Sequence, residues 1–221
     1  MKWMTEKVAG IAGVAAVGVF WTALVAFAAA YPGYSHFHKA ISELGAFGAP
    51  HALAWNLIGF IAPGVLLAMC GAGLATAIEV SGRKTAVYWL LVMSGVGFAG
   101  TGLIPVEMRQ GSPFMQSAFT LGHILMTVLS GIPWVIAAFL LIGQAKRNPA
   151  WHRSRGVIVI LAGVAVAGLA VNILAQALPV LAHRPGLAQR LSFGVYFAWF
   201  LIMAIQLLVV APRARHEPAT A

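Results

Sequence analysis

Six runs of apolar residues, each long enough to cross a bilayer, constrain this chain more than any other feature. A helix rises 1.5 Å per residue, so about 20 such residues span the hydrocarbon core. The runs are Val8–Ala30, Ala52–Ala77, Ala86–Pro105, Ser117–Gln144, Gly156–Ala182 and Leu191–Val210. In lipid every backbone N–H and C=O must find its partner inside the protein, so runs of this length fold as helices. The pattern predicts an all-α polytopic membrane protein with one domain over residues 1–221, ending in a polar tail at 211–221. A balance of 61% hydrophobic to 9% charged residues excludes a soluble domain. Ala28-Ala29-Ala30 resembles a secretory cleavage site, but the run before it is too long for a signal h-region and is expected to remain as a span.

The basic residues set the orientation. Of the 14 Lys and Arg residues, all but Lys39, Arg109, Arg184 and Arg190 lie on the same side as the termini. The positive-inside rule then makes both termini cytoplasmic, in a bacterium on the inner face of the cytoplasmic (inner) membrane. The net charge of +9 is thereby read as loop charge, and no nucleic-acid partner is expected. The single cysteine, Cys70, lies within a span, which excludes an intramolecular disulfide and a cysteine-based zinc site.

The longest interruption between runs is the outer loop 31–50, YPGYSHFHKAISELGAFGAP. Tyr31-Pro32-Gly33 stops the first helix. Ser35 is expected to cap a short amphipathic helix that Gly45 ends. On it Phe37, Ile41 and Leu44 would form an apolar stripe, with His36, Ala40 and Glu43 on another face. Such a helix is expected to lie in the membrane interface, with Tyr31, Tyr34 and Phe37 at headgroup level.

Polar groups within or beside the spans gather on that same side. Asn56, His123, Asn172 and Gln176 fall in the outer halves of their runs, and Glu107, Arg109, His51, His183, Arg184 and Arg190 follow on the outer surface. Two readings stay open: an outward-facing cavity roofed by the loop helix, or hydrogen bonds between helices that serve packing alone. Gly95, Gly97, Gly100, Gly102, Gly163 and Gly168 are expected to let helices approach closely, and Pro63 and Pro133 to kink theirs.

For chemistry, His36, Glu43 and His123 are the candidate polar anchors or acid–base groups, since imidazole titrates near neutrality. Ser35, Ser42, Asn56, Glu107, Asn172, Gln176, Arg184 and Arg190 are candidate ligand-binding residues, the arginines for an anionic headgroup. His36, His38, Glu43, Glu107 and His123 are of the types that bind metals, but no HExxH signature occurs and a metal is left open. Only His123 is well placed as an axial ligand, which argues against haem, and no cofactor is required. Ser35 or Ser42 with a histidine and an acid could form a nucleophile set, yet no GxSxG elbow surrounds either; a cap or turn role is preferred. Gly71-Ala72-Gly73 follows no strand and gives no nucleotide site.

PGYSH, ISELGAFGAPHA, Asn56, Gly122-His123 and Gly186-Leu187-Ala188-Gln189-Arg190-Leu191 together resemble the bacterial and archaeal six-span family catalogued as domain of unknown function 998. The resemblance covers nearly the whole chain. Through the proline and Ile-Ser-acid pattern of the loop the chain is also similar to Frag1/DRAM-type proteins. The first resemblance implies a family without an established activity, with Ser35, His36, Ser42, Glu43, Gly45, His123, Gln189 and Arg190 at its motif positions. After the third span the family often has a cysteine-flanked Asp where this chain has Val106-Glu107-Met108. If that acid is catalytic, the longer Glu side chain changes the geometry.

The sequence thus leads to a membrane protein that binds, or processes, a lipid-like or amphipathic molecule in an outward-facing cavity, with membrane lipid as partner. An accessory or structural subunit of a membrane complex and a small-molecule transporter are the alternatives. Whether it is an enzyme, and whether it pairs with a second copy or another protein, stays open. A transporter would need polar groups toward the inner leaflet, where Thr76 and Gln144 stand nearly alone.

Overall fold

The computed structural model describes residues 2–80, 86–107, 117–177 and 183–213. Six helices in it are long and apolar enough to cross a membrane. They are α1 Lys2–Ala29, α2 Ala52–Ile78, α3 Ala86–Leu103, α4 Ala118–Arg147, α5 Arg155–Ala177 and α6 Pro185–Arg213. Each apolar run falls in one of them. The last helix begins at Pro185 rather than Leu191, because proline suits a first turn, where its missing N–H has no helical partner anyway. The end of the fifth run beyond Ala177 and the tail from 214 lie outside the described residues.

Helices adjacent in sequence pack side by side, and α6 closes back on α1, so the six form a ring. A contact between α2 and α6 crosses it, which leaves α1 on one side and α3, α4 and α5 on the other. Lipid tails are as apolar as leucine, so close packing rather than escape from water holds such helices together. Aromatic rings fill the centre: Phe20 stacks on Phe197 at 4.2 Å, Phe98 lies parallel to Tyr196 at 5.7 Å, and Trp134 meets Tyr196 edge-on at 5.0 Å. Apolar side chains such as Val25 and Ile160 face outward on the same helices, as lipid contact requires.

Between α2 and α3 the backbones nearly touch. A Cβ on Gly95 would collide with the backbone nitrogen of Ala68, and one on Gly64 with that of Ala99. Gly163 differs from expectation, since a Cβ there would meet nothing within 4 Å. Pro63 acts through a wide turn: residues Asn56–Ile61 form a π-helical segment inside α2, with Ala62 N–H bonded to Leu57 O. Proline lacks an N–H and its ring crowds the carbonyl four residues earlier; a wider turn relieves both. Helix α4 continues through Pro133.

Candidate functional site

The loop 31–50 is a plug seated on the rim of the bundle. Ser35 Oγ accepts from Phe37 N–H and His38 N–H, which makes a local turn rather than a helix cap. The only helical piece is a 3-10 turn, Ile41–Gly45, and all five of its residues are buried. It ends at Gly45 as expected. It does not lie in the interface: Phe37 is 56% exposed while Ile41 is fully buried, so the expected apolar stripe is divided between outside and inside.

The reason is visible in the backbone partners supplied by other elements. At the start of α6, Gln189 Oε1 accepts from Ile41 N–H at 2.7 Å, and Leu187 N–H donates to Phe37 O. Arg190 reaches further into the loop. Its Nε donates to His36 Nδ1 at 3.0 Å, one terminal nitrogen donates to Lys39 O and to Gly186 O, and the other donates to Tyr34 Oη at 3.0 Å. Tyr34 Oη in turn donates to Ala40 O at 2.9 Å. Gly186 permits this approach, because a Cβ there would collide with Lys39 O. On the far side of the plug, Asn56 Nδ2 donates to Gly45 O at 2.9 Å, and Phe47 N–H donates to Val106 O.

Glu43 folds back on its own turn, with Oε1 accepting from Ala40 N–H at 2.7 Å. Burial raises its pKa, opposed by that hydrogen bond and by the charges of Lys39 and Arg190. Burial also raises the pKa of Tyr34, against the pull of its Arg190 bond. The pKa of His36 is lowered, first by desolvation and then by the nearby guanidinium. The Arg190 bond fixes its tautomer: an Nδ1 that accepts cannot carry a proton.

His123 serves a helix end. Its Nδ1 lies 3.0 Å from Thr101 O and 2.8 Å from Ile104 O, so Nδ1–H donates to both. Thr101 lies in the last turn of α3 and Ile104 just past its end, where no helical N–H is available. Glu107 N–H is held by Thr120 Oγ1 at 3.2 Å. Ser42 is buried in the 3-10 turn. Arg184 is exposed at the mouth of α6. The side chains of Asn172 and Gln176, and all of Arg109, lie outside the described part of the structure.

The sequence candidates therefore divide. His36 and Arg190 meet, Asn56 braces the plug from α2, and Glu43 bonds within the plug's own turn. His123 bonds Thr101 O and Ile104 O instead and shares no hydrogen bond with them. Among the described residues no serine, histidine and carboxylate form a hydrogen-bonded set, and no three His, Cys, Asp or Glu side chains gather as a metal centre would need.

An open space exists elsewhere, in the larger half of the ring. It has a volume of about 40 Å³ and lies among Phe98 and Thr101 of α3, Thr127, Ser130, Gly131 and Trp134 of α4, Gly168 and Leu169 of α5, and Ser192, Phe193 and Tyr196 of α6. None of His36, Glu43, Asn56 or His123 lines it. Its five hydroxyls were not among the sequence candidates, although Thr127, Ser130 and Trp134 follow at i, i+3, i+7 and Ser192 and Tyr196 at i, i+4. That spacing puts each set on one helix face and is the signal that could have found them.

Those hydroxyls donate into the protein: Thr101 to Phe98 O, Thr127 to His123 O, Ser192 to Gly168 O and Ser130 to Tyr196 Oη. Tyr196 Oη also pairs with Ser94 Oγ at 2.8 Å. The indole N–H of Trp134, buried in the wall, has no partner among the described residues.

A family model described as "Protein of unknown function (DUF998)" matches residues 14–206 of the chain. Neither the curated proteins nor the solved structures give a match.

Proposed function

The chain belongs to the DUF998 family of unknown function, and from that membership and the geometry above we propose that it is a bacterial inner-membrane protein, termini in the cytoplasm, that binds a lipid-like or amphipathic molecule. The observation that carries this reading is the open space among α3, α4, α5 and α6, where hydroxyls and aromatic rings share a wall at membrane depth. Polar side chains are costly in hydrocarbon and mark ligand pathways when they face a cavity. The outer plug keeps its groups for itself. Arg190 is engaged by the loop, so the ligand is recognised inside the ring rather than by a cationic rim, with Arg184 as the outer basic group that stays free to meet a headgroup.

The test is a cavity-filling substitution. A Cβ on Gly131 would meet only Leu169 Cδ1, at 3.8 Å, so Gly131→Leu can occupy the space without striking backbone. Mass spectrometry of lipids co-purifying with the natural protein is expected to find one species enriched and retained, and Gly131→Leu is expected to lose it. Indistinguishable lipid profiles for the two proteins would end the proposal.

A further inference from the structure

The clasp between the loop 31–50 and the start of α6 closes on a bond that a single proton reverses. Arg190 does not lose its proton in a protein, so its Nε–H is the donor and His36 Nδ1 has to supply a bare lone pair at 3.0 Å. A proton on that nitrogen would set two N–H donors and two positive charges face to face.

The surroundings do not compensate such a charge. Ahead of α6 stand His183 and Arg184, both exposed. Within the loop, Tyr34 lies edge-on to the imidazole at 5.7 Å, and the Lys39 ammonium lies over the Tyr31 ring. His38 Nδ1–H donates to His183 O, a bond that either protonation state of His38 can make. Glu43, the loop's one carboxylate, is turned to Ala40 N–H. His51 lies edge-on to Phe27 of α1, and Glu107 follows Val106, the partner of Phe47 at the loop's other end.

The piece that the His36 bond holds is easy to move. Residues 34–40 run from Gly33, at φ 69° with open space where a Cβ would point, to the buried turn Ile41–Gly45. His36, Phe37 and His38 are exposed, and Tyr34, Ser35 and Lys39 are half-buried, so few apolar contacts resist release. The Arg190 guanidinium bonds His36, Tyr34 Oη and Lys39 O, and Leu187 N–H bonds Phe37 O. The turn beyond is pinned separately, by Asn56 on Gly45 O and by the burial of Ile41 and Leu44.

We infer that residues 34–40 are an acid-released arm: His36 and Arg190 clasp it to α6 at neutral pH, and protonation of His36 detaches it and uncovers Gly186–Arg190 while the turn Ile41–Gly45 stays seated. Closing the arm lowers the pKa of His36, first by desolvation and then through the guanidinium, so the open arm binds the proton more readily. Release therefore proceeds as pH falls through the ordinary imidazole range. In the orientation proposed above, this face meets the medium outside the cytoplasm, and the arm responds to the acidity of that side.

Leu187 N–H is the reporter. It lies in the first turn of α6, where no helical carbonyl is available, and Phe37 O is its partner. Hydrogen–deuterium exchange of the detergent-purified protein is compared at about pH 7.5 and about pH 5.5, with labelling times scaled to intrinsic exchange at each pH. Protection of Leu187 is expected to fall about fivefold or more at the lower pH, the scale of one lost hydrogen bond, while amides in the middle of α3 keep theirs. His36→Gln offers Arg190 a carbonyl oxygen that takes no proton, and should hold the protection at both pH values. His36→Lys carries its charge at both, and should lack the protection at both. Equal protection at the two pH values in the natural protein, or an equal loss in the natural and His36→Gln proteins, overturns the inference.

Discussion

His36 shows how a titratable side chain can serve backbone geometry. Its Nδ1 must be unprotonated to accept from Arg190, and desolvation, then the guanidinium, lower its pKa. The unfolded chain therefore takes up the imidazole proton at a higher pH than the folded protein does. Stability from this contact is complete above the usual imidazole range and declines as pH falls through it. Thermal unfolding in detergent between about pH 7.5 and pH 5.5 is expected to show that decline, and His36→Ala is expected to flatten it. Equal slopes for the two proteins would refute the assignment. Glu43 has the opposite sign: its raised pKa makes the protonated form the favoured one, so its share is present at low pH and is lost as pH rises through the folded-state value. The two residues were adjacent candidates in the sequence, yet the hydrogen-bond partner that decides each role is distant for one, in α6, and local for the other, at Ala40.

At the scale of elements, the loop 31–50 is where reading from sequence was least complete. Its helix end at Gly45 and the turn at Ser35 were legible, because local bonding sets them. The burial of Ile41–Gly45 was not, because it depends on Gln189, Arg190 and Asn56, which the chain brings from far away. The gathering of Asn56, His123 and Arg190 at the loop's end of the bundle was legible too, and its cause is now specific. Asn56, His123 and Arg190 each satisfy carbonyls that a loop or a helix end leaves without partners. Glycine roles divide in the same way: spacing alone does not distinguish Gly95, pressed against α2, from Gly163, facing open space. Gly95→Ala is expected to destabilise the protein by about 1–3 kcal/mol, as overpacking does. Gly163→Ala should be neutral or stabilising by up to about 1 kcal/mol. Melting temperatures in one detergent compare them, and equal losses would contradict the packing described.

For the whole molecule, the six spans were the most legible feature, since run length and the absence of charge dictate them. The cavity was the least legible, because it forms where faces of four helices meet and no single run contains it. The proposed orientation has a direct check. Phe37 and His152 are both exposed, on opposite ends of the bundle. The chain's own Cys70 is fully buried and should stay silent to a membrane-impermeant maleimide. Phe37→Cys is expected to label in intact cells, and His152→Cys only after the membrane is permeabilised; the reverse pattern would invert the topology.

The plug between α1 and α2 is bonded chiefly to α6, and this orders events during synthesis. The segment is made early, whereas Gln189 and Arg190 leave the ribosome only after four further spans. Until then Ile41 N–H lacks Gln189 and Lys39 O lacks Arg190. A nascent chain halted before its last helix would hold an unfinished outer rim, a state that membrane quality-control proteases can recognise.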